Sequence, residues 1–482
     1  MNQPPLVFDF VFAPSSELNQ ASEGYKHEDR EETGKRMSPE NNFEDIQPNV
    51  LKPLPSVTED ADEISVEHEE SIAVPDNKAV HSGSRFAIRQ LEPSLPKLPR
   101  LRPVRTNRLQ AKMALSPKQR KMLFKKFKKW TENLDRMGVV DSTLVWREKG
   151  KTYSATFRNV RGKSETDIEE VLVEVETEED GYTLSTEMRM KRLAFSNFAQ
   201  FVDFWDPRVA LHDDELEGRF HSNTKINVSS SFNVKPKFYG KVTTSSYDIR
   251  TTGASFFDHK SVFEGGLETG VKVIHLPKHF LPFLDEEAFA NEKTQELKGN
   301  TRITFYSDGS YSWRSADKGG KTQKNRLPDN SFYIIGDNKS TLYVKGTVRG
   351  KVLVYSPHKI IIDDDLTYAR HPEISSNADD YLGLVSEKNI EIAHPNVTGP
   401  GDLNIYASIY AKRRFQVRHT NRKRGATLYI YGSLTAGSIS ATEPRYATRV
   451  CFDKRLEKKR APGFPMTDRY EITEWDETWK VK

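Results

Sequence analysis

The chain has 482 residues, of which 36% are hydrophobic, a single cysteine and a formal net charge of +4. One cysteine excludes an internal disulfide framework and a cysteine-rich metal site, and no run reaches the roughly 18 apolar residues that span a bilayer. The N-terminus lacks the basic region of a secretory signal, so we expect a cytoplasmic protein, or one held peripherally at the inner membrane.

Residues 1–112 are predicted to form a disordered arm that is first acidic and then basic. Residues 1–76 contain 18 Asp and Glu against 5 Lys and Arg, and residues 97–129 contain 13 Lys and Arg and no acidic residue. Low hydrophobicity and blocks of like charge are typical of solvated segments. The apolar run Leu6–Phe12 predicts either a strand that adds to a sheet edge or an unstructured terminus.

Residues 113–205 predict a small α+β unit that begins with a helix over 117–137. Ser116 and Gln119 have the spacing of a capping box, Pro117 suits the first helical position, and Gly138 suits the end. One face of this helix is apolar and the other carries lysines. We predict that the helix docks on its own unit, with contact to an anionic membrane or to nucleic acid as the alternatives.

Two hairpins are predicted next, one over 143–158 and the other over 171–190. A second amphipathic helix is predicted over 194–205, because Phe198, Phe201, Val202 and Trp205 fall on one helical face and Asp206-Pro207 ends the pattern.

Residues 206–452 predict a right-handed β-solenoid, which makes the protein mainly β. Short strands alternate apolar and polar residues, as in Thr341–Val354, where Gly346 and Gly350 are predicted turn points. Alternation buries one face of a strand, and short strands separated by turns are typical of stacked rungs. We expect four side chains to point inward, namely Val348, Val352, Ile361 and Ile430.

Two further segments complete the organisation. A helix is predicted near 285–297. Residues 453–482 are predicted to form an irregular wrapping tail, because Pro462, Gly463 and Pro465 disfavour regular structure.

An acidic cluster lies within the predicted solenoid and contains Asp363, Asp364, Asp365, Asp379 and Asp380. Aspartates at turns usually accept hydrogen bonds from backbone amides. The alternatives are a calcium site with oxygen ligands and acid–base chemistry on a glycan.

A basic cluster follows, with Lys412, Arg413, Arg414, Arg418, Arg422, Lys423 and Arg424. It predicts exposed arginines on solenoid turns, or a polyanion-binding patch with interleaved tyrosines. His221 and Ser222 are adjacent in a strand and point to opposite faces, so they are not expected to act together. Cys451 is predicted to be a plain buried thiol.

An ordered set of motifs resembles a bacterial family of uncharacterised proteins often associated with type IV pilus assembly, the minor-pilin-like β-helix proteins, over roughly residues 190–470. The motifs are Leu193–Phe201, Gly218–Asn223, Lys235–Ser246, Ile362–Tyr368, Asp379–Val385, Leu428–Leu434, Phe452–Leu456 and Pro462–Pro465. The resemblance implies a β-helix and protein partners in pilus or envelope assembly. The chain departs from the family at its N-terminus, where the arm and the lysine-rich helix replace an apolar membrane anchor.

The sequence therefore predicts a non-enzymatic β-solenoid scaffold without a cofactor or metal. Its partners are expected to be proteins, such as pilus or envelope assembly components, rather than nucleic acid. The alternatives are a carbohydrate-active enzyme that uses the acidic cluster and a protein that binds polyanions through residues 412–424.

Overall fold

The computed structural model describes residues 112–482, apart from 139–140, 161, 163, 232–233, 254–257, 279–292, 318–319 and 422–424. The predicted arm, including Leu6–Phe12, lies outside the described residues except for Lys112. Within the described part of the chain the fold is mainly β, as predicted, with the strands arranged in several sheets.

The first described elements are those of the predicted α+β unit. They are β1 (Lys112–Ala114), α1 (Pro117–Met137), β2 (Thr143–Glu148), β3 (Lys151–Val160), β4 (Glu170–Glu179) and β5 (Tyr182–Ala194). The helix has its predicted bounds and capping box. The Gln119 amide donates to the Ser116 hydroxyl at 3.3 Å, and the Ser116 amide donates to the Gln119 side chain at 3.1 Å. Gly138 ends the helix with φ of 60°.

Short strands follow, with two single-turn helices among them. The first group is β6 (Gln200–Val202), β7 (Glu215–Leu216), β8 (Phe220–Ser222), β9 (Asn227–Ser229), β10 (Lys237–Phe238), β11 (Val242–Thr244), β12 (Arg250–Thr252), α2 (His259–Val262) and β13 (Leu267–Thr269). The second group is β14 (Thr294–Leu297), β15 (Thr301–Phe305), β16 (Ser310–Ser315), β17 (Gln323–Arg326), β18 (Phe332–Gly336), β19 (Thr341–Val348), β20 (Lys351–Ser356), β21 (Lys359–Tyr368), β22 (Tyr381–Ser386), β23 (Asn389–Ile392), α3 (Pro395–Thr398), β24 (Leu403–Val417), β25 (Ala426–Ile439), β26 (Tyr446–Phe452), β27 (Met466–Trp475) and β28 (Thr478–Val481).

The predicted helix over 194–205 is wrong. The segment contains a 3-10 turn, Phe195–Asn197, followed by strand β6. Strand β6 pairs with β25 and β8, so backbone pairing with distant strands replaces the hydrogen bonds of a local helix. The helix predicted near 285–297 is also wrong at its end, where β14 is a strand, and its earlier residues lie outside those described.

A seven-stranded sheet in the order β1-β28-β5-β4-β3-β2, with β27 also paired to β5, joins both ends of the described chain. All of its pairings are antiparallel. The predicted irregular tail is therefore wrong for residues 466–481. Pro462 and Pro465 precede β27, and β27 and β28 pair with β5 and β1.

Helix α1 packs its apolar face on this sheet, as predicted. Leu123, Phe127 and Leu134 have no exposed surface, and the Phe127 ring lies 5.0 Å from that of Trp475 in β27. The opposite face is exposed, and we call it the lysine face; it consists of Lys118, Lys121, Lys125, Lys128 and Lys129. Among the described residues, no helix is both long enough and apolar enough to cross a membrane.

The other large sheet contains 19 strands, most of which pair in parallel. One continuous series of parallel pairs, which we call the first ladder, runs β14-β18-β20-β22-β24-β25-β6-β8-β11-β13. A second ladder runs β15-β19-β21-β24-β25-β26-β7-β10.

The strand order in both ladders differs from the order in the chain. The late strands β25 and β26 pair with the early strands β6 and β7, and we call this junction the seam. In the first ladder the chain therefore begins in the middle at β6 and runs to one end at β13. It continues from the other end at β14 and finishes at β25, beside β6.

The inward side chains of the ladders form one apolar core, separate from the core under helix α1. Val348, Val352 and Ile430 belong to it, as predicted, whereas Ile361 does not. Ile360 and Ile362 point inward instead, so Ile361 lies on the other face, opposite Tyr343 and Glu391 of the adjacent strands.

Gly346 is not a turn point but lies at a register shift within β19. Its φ is +107°, and a Cβ there would lie 2.2 Å from the Phe305 carbonyl oxygen. The bulge therefore requires glycine.

Candidate functional site

The three consecutive aspartates of the acidic cluster lie in β21, and each has a different partner. Asp363 is buried and ion-paired with Arg302, and burial raises its pKa. Asp364 lies 3.6 Å from the Lys345 ammonium, and Asp365 accepts the backbone N–H of Asn404 at 2.8 Å.

The other two acidic residues precede β22. Asp379 lies 2.7 Å from the Lys351 ammonium. Asp380 has no exposed surface and forms an ion pair with Arg370. Its carboxylate also accepts the backbone N–H groups of Gly350 and Arg370, both at 2.9 Å. Asp380 thus holds two backbone segments together, as an aspartate at a turn does.

The acidic cluster does not converge on one cleft. Asp379 lines a cavity of about 270 Å³ together with Arg349, Lys351 and Arg370, whereas Asp363 lines another of about 350 Å³ with Arg302. Paired acid–base chemistry needs two carboxyl groups on opposite sides of one bond. Asp379 and Asp363 line different cavities, so these two do not face the same bond. Both cavities are rich in cationic side chains.

The basic cluster is largely neutralised where the structure describes it. Lys412 lies 2.6 Å from Glu387, and Arg414 lies 3.7 Å from Asp206. Arg418 forms an ion pair with the buried Glu391. Arg413 is exposed. Arg422, Lys423 and Arg424 lie outside the described residues.

His221 lies at a cavity of about 440 Å³ that is lined by residues of β8, of β27 and of the segment 271–274. Its Nδ1 and Nε2 atoms are each 2.8 Å from a partner, Thr243 Oγ1 and Asn223 Oδ1. The Asn223 amide in turn donates to Asp203 at 2.7 Å. The imidazole stacks on Phe201 at 5.1 Å, and burial lowers the pKa of His221 to about 4.

This arrangement holds a neutral imidazole with both ring nitrogens occupied. The Ser222 hydroxyl donates to the Thr224 carbonyl at 2.8 Å, so the serine and the histidine do not interact, as predicted from their strand positions. Asn223 also accepts the Ile274 amide at 3.0 Å. The group therefore links several segments and has no free base for catalysis.

Cys451 is half-buried rather than buried. Burial raises the pKa of the thiol to about 12, and its sulfur lies 3.3 Å from Glu217 Oε2. Because the thiolate is the nucleophilic form, the environment favours an unreactive thiol.

One group of residues was missed by the sequence analysis. His212, Asp213 and Glu443 each present a ligand atom, and the three atoms lie within 4.8 Å of one another. The local signal was the run His212-Asp213-Asp214-Glu215. Glu443 comes from a distant part of the chain, and only the pairing of β26 with β7 at the seam brings it near.

Comparison with known proteins finds no matching family model and no matching curated protein. Among solved structures, the competence-associated pilin ComZ from Thermus thermophilus is 12% identical, and the match covers 76% of this chain and 95% of that chain with a TM-score of 0.32. A likeness at this TM-score carries no argument about the fold or function of this chain. The resemblance to the pilus-associated family stays a prediction.

Proposed function

We propose that the two ladders form a right-handed β-solenoid that serves as a non-enzymatic scaffold for protein contacts in pilus or cell-envelope assembly. The observation that carries this proposal is the first ladder, in which parallel pairing continues without a break from β14 through the seam to β13. A parallel series of this kind with an apolar interior is what stacked rungs produce. Parallel crossover connections are right-handed in about 98% of cases, which supports the hand.

The partners of the acidic cluster support a role without catalysis. Asp363, Asp364, Asp379 and Asp380 each have their own cationic side chain, and Asp365 has a backbone amide. A general acid or base needs access to its substrate, whereas these groups are engaged in joining neighbouring segments. Polyanion binding by the basic cluster is disfavoured for the same reason, because three of its described cations are paired with carboxylates.

The surface we propose for partner contact is the lysine face of α1. Its lysines are exposed, and none forms an ion pair with another described residue, while the apolar face of the helix is already buried. An unpaired row of like charges fits a protein with an acidic surface through electrostatic complementarity. The assignment to pilus or envelope assembly rests on the ordered sequence motifs.

Two variants expressed in a deletion strain test this function. The first replaces Asp364, Asp365 and Asp379 with Asn; Asp364 and Asp379 have side chains 49% and 51% exposed, so folding should be retained. The second replaces the lysine face with Gln. A scaffold predicts normal counts of surface pili and normal envelope integrity with the first variant and a defect with the second. The opposite pattern, at unchanged melting temperature, would favour an enzyme.

A further inference from the structure

The seam brings together two carboxylates and a histidine from distant parts of the chain. His212 and Asp213 precede β7, Glu443 precedes β26, and these two strands pair directly. One ligand atom from each residue lies within 4.8 Å of the other two. Two ligand atoms of one Zn²⁺ lie at most about 4.2 Å apart, so a small adjustment of these side chains lets a single ion contact all three.

Within the described part of the chain, the carboxylates of Asp213 and Glu443 have no cationic side chain paired with them. The nearby Arg449 guanidinium donates to the backbone carbonyl of Asp213 and faces Glu215 at 3.8 Å. Asp214 adds a further carboxyl group nearby, and its carboxylate accepts the backbone N–H of His212 at 3.2 Å.

One oxygen of the Asp213 side chain has no hydrogen-bonding partner among the described residues. This atom, Oδ1, is buried. A carboxylate oxygen of Glu443 lies within 4.8 Å of one of Asp213. Two carboxylates in contact repel each other unless a proton or a cation lies between them. A buried, unpaired carboxylate oxygen is costly, and a proton or a cation at this point would remove the cost.

The position of His212 favours a cation over a proton shared by the two carboxylates. His212 Nε2 lies 2.8 Å from Ser231 Oγ, a residue outside the cluster, and this hydrogen bond leaves Nδ1 available to an ion. Metal-binding histidines usually use their second ring nitrogen in this way, because the hydrogen bond fixes the tautomer and the ring orientation. A shared proton between the carboxylates needs no imidazole at this position.

We propose that His212, Asp213 and Glu443 bind one divalent transition-metal ion that ties the late strands to the early strands at the seam. Imidazole and carboxylate donors together suit Zn²⁺ or Mn²⁺, whereas Ca²⁺ prefers oxygen ligands alone. The ion closes the long stretch of chain between β7 and β26, and a clip across a long loop removes conformational freedom from the unfolded chain. Its role is structural, since the ion holds the two ends of the ladders together.

Titration calorimetry and thermal unfolding of the chelator-treated, full-length protein test the proposal. With ZnCl₂ or MnCl₂ we expect saturable binding of one ion per chain and a rise in the unfolding midpoint, and at least tenfold weaker binding of CaCl₂. Glu443→Gln and His212→Gln should each weaken binding at least tenfold. Glu178→Gln, an exposed residue in β4 of the seven-stranded sheet, is the matched control and should bind like the parent. Glu443 is itself exposed, so its variant should fold.

Three results would overturn the proposal. The first is that none of the ions binds saturably. The second is that Glu443→Gln and the parent bind an ion equally well. The third is an unfolding midpoint that does not change on addition of metal or chelator. If that midpoint changes with pH between 6 and 9 in the parent but not in Glu443→Gln, a proton shared by the two carboxylates occupies the place of the ion.

Discussion

Trp130 joins helix α1 to the seven-stranded sheet, and replacing it with alanine measures how firmly the helix is docked. The indole is 4% exposed and lies edge-on to Phe157 at 5.2 Å and to Trp146 at 5.7 Å. A buried aromatic side chain removes about 150–250 Å² from water, which at about 25 cal/mol/Å² corresponds to about 4–6 kcal/mol as an upper bound. Because alanine keeps the β-carbon, we expect Trp130→Ala to lower the free energy of unfolding by about 3–5 kcal/mol.

The matched control is Phe124→Ala on the same helix. Phe124 is 54% exposed, so its loss should change the free energy of unfolding by less than about 0.5 kcal/mol. Urea unfolding followed by far-ultraviolet circular dichroism measures both values, and hydrogen exchange over residues 117–137 shows whether the helix itself is loosened. Equal effects of the two substitutions, or a Trp130→Ala protein as stable as the parent, would refute the docking.

Three further predictions concern the ladders, His221 and the lysine face. Ile362→Thr should cost about 2 kcal/mol or more, because it places a hydroxyl in the apolar core. Ile361→Thr should cost less than this, because Ile361 is buried on the other face, outside that core; the reverse order in urea titrations would show that the register is wrong. Since burial lowers the pKa of His221 to about 4 and an unfolded histidine titrates near about 6.5, its contribution to stability should be complete above that pH. As the pH falls toward about 4, up to about 3 kcal/mol should be lost, and His221→Gln should flatten this part of the stability profile. Because the apolar face of α1 is buried, the intact protein should not sediment with anionic vesicles at physiological salt, and sedimentation that requires the lysine face would contradict this expectation.

Local signals in the sequence were sufficient for the elements whose hydrogen bonds are local. Helix α1 was predicted with its bounds because Ser116, Gln119 and Gly138 satisfy its end groups within the helix itself. The hairpins β2–β3 and β4–β5 were predicted because each joins strands that are close in sequence. The alternating pattern also indicated most inward residues of the ladders, but in the run Ile360–Ile362 all three side chains are apolar, and alternation alone cannot choose the register.

Only the tertiary structure decided the elements whose backbone pairs with distant parts of the chain. Residues 194–205 carry a helical spacing of apolar side chains, yet β6 pairs with β25 and β8, and the same aromatic residues fill the ladder core. The strands near the C-terminus depend on β5 in the same way. The acidic cluster was found from the sequence, but the separate partner of each aspartate was not, because most of these partners come from other strands. The seam could not be predicted from the sequence either, since parallel pairing carries no local signal for which strands become neighbours. For the same reason the sequence did not predict that Glu443 lies beside His212 and Asp213.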